Sequence, residues 1–259
     1  MRVTRFGEVI AIHLANARSR LVGYGVYVFV TRNTLIDTGF HAVRRQVGTL
    51  LDEHRPAGVM LTHQHEDHAG NVQLIAARGI PLHAAAETLA AIRTVAPIGV
   101  YRRFVWSSMP PLRSAVTPYV PSGLELVPAP GHSSDHHVVW DAEREILFSA
   151  DLFLSVKVRV ARPGENPRDL VRSLRAIAQL RPAIMFDSHR GHIDRPATML
   201  HAKADWLEET IARIDRLVDA GQPDRVIRND VLGREAAVGY ISAGELSRLN
   251  LVRTVRASR

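Results

Sequence analysis

Within six residues the chain carries three histidines and an aspartate, His63, His65, Asp67 and His68. They follow Gly58–Leu61, an apolar run of the length of one buried strand. In extended backbone, residues i and i+2 project to the same side, so His63 and His65 can grip one ion. The turn that follows swings Asp67 and His68 toward a neighbouring one. Nothing in a solvated loop calls for three imidazoles at this density. The chain must therefore fold so that a strand end presents these side chains to further ligands from elsewhere. Cysteine is absent from all 259 residues. That excludes a disulfide framework and leaves histidine, aspartate and glutamate to hold any metal.

The rest of the chain has a strand, motif, helix rhythm. Val9–His13, Val22–Thr31 and Thr34–Asp37 read as strands, with Val26, Val28 and Val30 alternating. Val43, Val47, Leu50 and Leu51 mark one face of a helix. Asn71–Arg78 and Ala84–Thr94 read as helices on either side of a strand at Ile80–His83. Thr88–Gly123 then breaks the pattern, with five prolines, no acidic residue and four arginines, and predicts an irregular lid-like insertion. Leu124–Pro128, His136–Trp140, Glu145–Ala150 and Ala183–Phe186 read as further strands. Asn166-Pro167 caps a helix whose buried stripe is Leu170, Val171, Leu174, Ile177 and Leu180. Met199–Ala220 predicts a long amphipathic helix, followed by a tail that is helical around Ala243–Leu251. Two strand-rich blocks, 9–84 and 124–187, predict an α/β protein of two sheets with helices outside, its sites at the strand ends.

The other ligand-type residues cluster beyond later strands, in Pro130-Gly131-His132, in Phe148-Ser149-Ala150-Asp151 and at Asp187-Ser188-His189. With His-x-His-x-Asp-His at 63–68 and Leu35-Ile36-Asp37-Thr38-Gly39 upstream, these five ordered motifs resemble the metallo-β-lactamase superfamily over roughly residues 8–220. The resemblance implies an αββα sandwich of two mixed β-sheets with a two-metal site at one edge. It divides the chain into a hydrolase domain, 1–220, carrying the insertion at 88–123, and a small helical extension, 221–259.

Carried over residue by residue, the resemblance assigns His63, His65 and His132 to a first metal, Asp67, His68 and His189 to a second, and Asp151 as the bridge. It implies two zinc ions, with iron or manganese as alternatives. Ions about 3.5–4 Å apart lower the pKa of a shared water from about 15.7 toward 7, which gives a bridging hydroxide nucleophile. Asp67 is the expected catalytic proton acceptor, and Asp37 the group that orients the ligand loop by hydrogen bonds. Neither His136 nor His137 is expected to bind metal, one of them being a supporting or a core histidine, His192 is set aside in favour of His189, and Glu66 is expected to be exposed. At 187–191, Asp-Ser-His-Arg-Gly departs from the family's usual Pro-Gly-His-Gly and brings Arg190 near the site.

The family's chemistry spans thioesters, lactones, phosphodiesters and nucleic acids, so the motifs give a reaction type and not a substrate. Tyr101, Arg102, Arg103 and Arg190 are the candidate substrate residues. Lys157, Arg159 and Arg162 lie in the loop after Asp151. These residues suit a small anionic acyl ester or thioester. The formal charge is +7, yet 31 of the 33 basic residues are arginine and they run from Arg2 to Arg259, a general bias rather than a concentrated phosphate-binding patch. A nuclease or phosphodiesterase acting on RNA or DNA, and a mononuclear iron persulfide-type dioxygenase, are the alternatives. No apolar run approaches the roughly 20 residues of a membrane span and the first residues lack an export signal, so no membrane partner and a cytoplasmic location are expected.

Overall fold

In a computed structural model, which describes residues 1–158 and 160–259, the chain forms two mixed sheets. The first comprises β1 (Arg2–Phe6), β2 (Val9–Leu14), β3 (Val26–Thr31), β4 (Thr34–Ile36), β5 (Gly58–Met60) and β6 (Leu82–His83), paired in that order. β1 to β4 are antiparallel, and β5 and β6 continue parallel to β4. The second comprises β7 (Glu125–Pro128), β8 (His137–Asp141), β9 (Ile146–Ala150), β10 (Ile184–Asp187) and β11 (Gly191–Ile193), with only the β9–β10 pair parallel.

Alternation along the strands builds three layers of core. Val26, Val28 and Val30 of β3 face outward from the sandwich, against Val47, Leu50 and Leu51 of helix α2 (Arg44–His54). Phe29, between them in sequence, faces inward. There its ring lies 5.2 Å from Phe148 and 5.4 Å from Phe186, which joins the two sheets. On the outer side of the second sheet, Leu147 and Met185 pack against α6 (Pro167–Ala178) and α7 (Pro196–Asp219). The cap of α6 is as its sequence predicts, with the Asn166 side chain accepting from the amides of Arg168 and Asp169 and Pro167 opening the helix. The result is the expected αββα sandwich.

Several elements differ from their sequence reading. The strand predicted from Val22 begins only at Val26, because Asn16 and Ser19 form a capping box that turns Ala17–Leu21 into a helix, α1. The edge strand β1 is exposed throughout, so it carries no burial pattern to read. The insertion is not irregular throughout. It contains the end of α4 (Ala86–Arg93) and a further helix, α5 (Val100–Trp106). Short α3 (Val72–Ala77) falls where expected. The tail forms α8 (Asp224–Val231), α9 (Ala237–Ile241) and α10 (Arg248–Ala257), the last set later than Ala243–Leu251 by its Ser247 cap. Leu251, Val252 and Val255 of α10 bury against Ile211 and Ile214 of α7 and against Ala161.

Candidate metal centre

Every expected ligand leaves a loop at one edge of the sandwich, just beyond β5, β9 and β10 or in the β7–β8 connection. The 62–71 loop is held by a buried network. Asp37, just past β4, accepts from the Thr62 amide at 2.9 Å, from the Thr62 hydroxyl, and from His68 Nδ1 at 2.8 Å. The Asn71 side-chain amide donates to the carbonyls of Thr38 and Phe40. Gly70 lets this loop close onto the 37–41 segment, since a Cβ there would overlap the carbonyl of Glu66 and the amide of His41.

The side chains converge in two groups whose ligand atoms lie within 4.8 Å of one another, His63, His65, His132 and Asp151 in one and Asp67, His68, Asp151 and His189 in the other. His63 Nε2 and His132 Nε2 lie 2.8 and 3.0 Å from His65 Nδ1. Asp151 Oδ2 faces His132 Nε2 at 3.1 Å, while its Oδ1 faces His68 Nε2 and His189 Nε2, each at 3.2 Å. The outer ring nitrogens are occupied. His68 Nδ1 bonds Asp37, His189 Nδ1 bonds the Gly25 carbonyl at 3.0 Å, and His63 Nδ1 bonds the Thr62 hydroxyl at 3.0 Å. Donation from Nδ1 leaves each Nε2 lone pair pointing into the centre.

Charge and satisfaction both fit a cation here. Asp67 and Asp151 are 2 % exposed, and imidazoles are their only ion-pair partners among the described residues. Burial would raise both carboxyls, but His68 and then His189 outweigh it and hold them below the usual carboxylate range. Burial likewise opposes charging of His68 and His189, yet Asp151 foremost holds both above the ordinary imidazole range. Burial wins at His63 and His65, which stay neutral. Among the described residues, Asp67 Oδ1 is buried with no hydrogen-bond partner, and His68 Nε2 and Asp151 Oδ1 face each other at 3.2 Å without forming a hydrogen bond, a costly state unless a cation completes them.

Three groups around this centre were given no role by the sequence reading. Asp187, at the end of β10, accepts from the amides of Leu154, His189 and Arg190 and so shapes the departing turn. Asp135 accepts from the Gln64 amide and the Thr88 hydroxyl and ties the ligand loop to α4. Lys203 of α7 donates to the carbonyls of Leu152 and Phe153, immediately after Asp151. Aspartates at the ends of buried strands were the available signal for Asp187, but a lone lysine on a helix offered none. His136 is the supporting histidine, receiving the Asp151 amide on Nε2 at 3.1 Å, and burial pushes it down to about 3. His192 instead stacks on Phe6 at 5.3 Å, outside both groups.

A cavity of about 430 Å³ opens onto both groups and is lined in part by Tyr101, Arg102, Trp106 and Arg190. Arg103 does not line it. It is exposed one residue further along α5, because adjacent helical positions diverge by about 100°. Glu66 is not exposed either. It is 4 % exposed and takes both arms of Arg102, which also reaches Glu245 at 3.2 Å. Arg159 lies outside the described residues.

The fold and this centre together define a metal-binding αββα sandwich. The family model of the metallo-β-lactamase superfamily matches residues 22–189, and the chain belongs to that superfamily. Among curated proteins, the beta-lactamase-like protein 2 homolog of Caenorhabditis elegans is 24% identical in a 205-residue match that covers 70% of this chain and 64% of that protein. The chain thus spans somewhat less than two thirds of that relative's length. Among solved structures, a metallo-β-lactamase family protein of Thermus thermophilus superposes with a TM-score of 0.69 at 16% identity, covering 96% of this chain and 91% of its own. A second, solved in a di-iron-bound form, gives 0.57 at 22% identity over 75% of this chain and 96% of its own. Likeness at these identities concerns the fold.

Proposed function

We propose that the chain is a hydrolase that holds two divalent metal ions and cleaves an ester or thioester of a small anionic acyl compound. The observation that carries this reading is Asp151, whose two carboxylate oxygens face two separate convergent sets of ligand atoms. On this reading His63, His65 and His132 hold one ion, Asp67, His68 and His189 hold the other, and Asp151 is shared. Zinc is the first choice, and the imidazole and carboxylate donors suit iron or manganese as well. Two such ions, when bound, would make a water acidic enough to attack at neutral pH and would polarise the scissile carbonyl.

The chain's own residues do the rest. Asp67, buried at the second group, accepts the proton of the attacking water and orients it through the carboxylate oxygen that the ion does not take. Trp106, its ring 6.1 Å from His189, excludes bulk water from that side. Tyr101 and Arg190 contact the substrate from the cavity wall and mouth. A small molecule is favoured over nucleic acid because most of the tail arginines are engaged. Arg228 pairs with Glu235, Arg256 with Asp224 and Arg259 with Asp219. Among the described residues no helix is long and apolar enough to cross a membrane.

The test is a thioester, lactone and phosphodiester panel on metal-reconstituted protein, with metal analysis. Two ions per chain and turnover of the acyl compounds are expected. Cleavage of phosphodiesters or RNA alone would transfer the site to nuclease chemistry, and one iron with oxygen consumption on a persulfide would make it a dioxygenase.

A further inference from the structure

Among the described residues five basic side chains line the cavity, and their states differ. Arg102 is saturated by Glu66 and Glu245. The Lys203 ammonium is committed to two carbonyls, at 2.8 and 2.6 Å. Lys157 and Arg190 are exposed and keep their hydration. Arg162 alone has buried donors left over, since its Nε and Nη1 are shut off from solvent and have no hydrogen-bond partner among the described residues. The nearby carboxylate of Glu165 lies instead 3.5 Å from His132 Nδ1. Unmade hydrogen bonds of a buried charged group are destabilising, and a protein retains them where a ligand completes them.

The backbone beside Arg162 is fixed from far along the chain. Ala161 and Ser247 exchange both backbone hydrogen bonds, at 3.0 and 3.1 Å. The Asn250 side chain donates to the Ala161 carbonyl at 3.1 Å, and also to the carbonyls of Gly244 and Glu245. The next tail residue, Leu246, itself lines the cavity. The tail therefore forms a wall of the cavity and fixes the direction from which Arg162 enters it.

We infer that Arg162, fixed by the clamp of Ser247 and Asn250 on Ala161, is the anchor for an anionic group of the substrate. The planar guanidinium matches the oxygens of a carboxylate or a phosphate monoester. Val105, Trp106 and Leu246 give the rest of the cavity an apolar wall, and its volume is that of a small-molecule site. The substrate is then an acyl ester or thioester with an apolar body and a carboxylate or phosphate. This deepens the hydrolase reading and rests on it for the identity of the scissile bond only.

The experiment has two arms, both on the metal-loaded full chain. Glutarate and methyl phosphate are titrated calorimetrically into wild type, Arg162→Gln, Arg162→Lys and Asn250→Ala. Phenyl thioesters of glutarate and of butyrate are then compared as charged and neutral substrates. One of the two anions should bind at least tenfold more weakly to Arg162→Gln and to Asn250→Ala, with partial recovery in Arg162→Lys. The charged-over-neutral ratio of kcat/KM should fall 10- to 100-fold in Arg162→Gln, mainly through KM. Preference for glutarate identifies a carboxylate tail, and preference for methyl phosphate a phosphate. Equal anion affinity in wild type and Arg162→Gln, no binding of either anion, or an unchanged ratio overturns the anchor. Arg162-dependent anion binding without hydrolysis of any ester keeps the anchor and removes the hydrolase reading, whereas hydrolysis indifferent to Arg162 does the reverse.

Discussion

Replacing Asp37 by asparagine changes one atom, and its effect should fall on one half of the metal centre. In the native chain the carboxylate only accepts, from the Thr62 amide and hydroxyl and from His68 Nδ1 at 2.8 Å. Asparagine offers one acceptor and one donor. With its oxygen kept on the Thr62 amide, its NH2 meets the His68 Nδ1–H, and two donors face each other in a site 1 % exposed. The imidazole relieves the clash by moving its proton to Nε2, the atom that points at Asp151. One ligand of the second group is thereby lost.

Loss of a supporting partner of this kind costs about 10- to 100-fold in metal affinity, or about 1.4–2.7 kcal/mol. The lost hydrogen bond should take a further 1–2 kcal/mol or so from the metal-free fold. Stepwise competition with a chromophoric chelator reads the two sites separately, and urea unfolding reads the fold. One site should weaken 10- to 100-fold while the other changes less than about threefold. Thr62→Val, which removes the hydroxyl bonded to His63 Nδ1, should weaken the site that Asp37→Asn spares. Wild-type affinity at both sites in a folded Asp37→Asn protein, or equal weakening of the two, would refute the reasoning.

His63→Ala or Asp151→Ala removes a proposed ligand and should abolish turnover in the same substrate panel. Full activity in either variant contradicts the ligand assignment. Arg102→Ala leaves Glu66 buried without its cation and should lower stability by about 3 kcal/mol in urea unfolding. A loss below about 1 kcal/mol would mean that the pair is hydrated. Burial pushes the Lys203 ammonium down to about 8, against about 10.4 in the unfolded chain. The unfolded chain then holds a proton the folded one has released, so stability should rise by about 2 kcal/mol between pH 8 and 9.5. Lys203→Met should remove that rise, and an identical rise in the variant would show that other groups produce it.

The sequence made the sandwich legible where burial is one-sided and periodic. Val26, Val28 and Val30 alternate with the inward Phe29 because β3 lies between two packed layers, and the α6 stripe follows from the same cause. Elements with no such contrast were lost. β1 is exposed on both faces, and α1 is a single turn and a half whose only signal is the cap at Asn16. The candidate ligand residues were legible because their chemistry is local, with four of them falling within one turn and its approach. Their supports are not local. Asp135 acts on Gln64 and Thr88, and Lys203 acts on Leu152, at separations that no window along the chain spans.

Glu66 shows why position within a motif does not determine exposure. It occupies the variable place between ligands, and in an isolated loop a carboxylate there would remain in water. Here α5 lowers Arg102 onto it from 36 residues away, and Glu245 closes the pair from 143 residues beyond Arg102. The metal loop, the insertion and the tail are thus joined through one guanidinium, beside a cavity that the tail also lines with Leu246. Four of the candidate ligands sit close together in sequence, although the loop that carries them is held by Asp37 and Asp135 from elsewhere in the chain. The cavity wall is assembled from three distant segments, so a change at Glu245 should loosen Arg102 and lower stability in urea unfolding while leaving metal content intact.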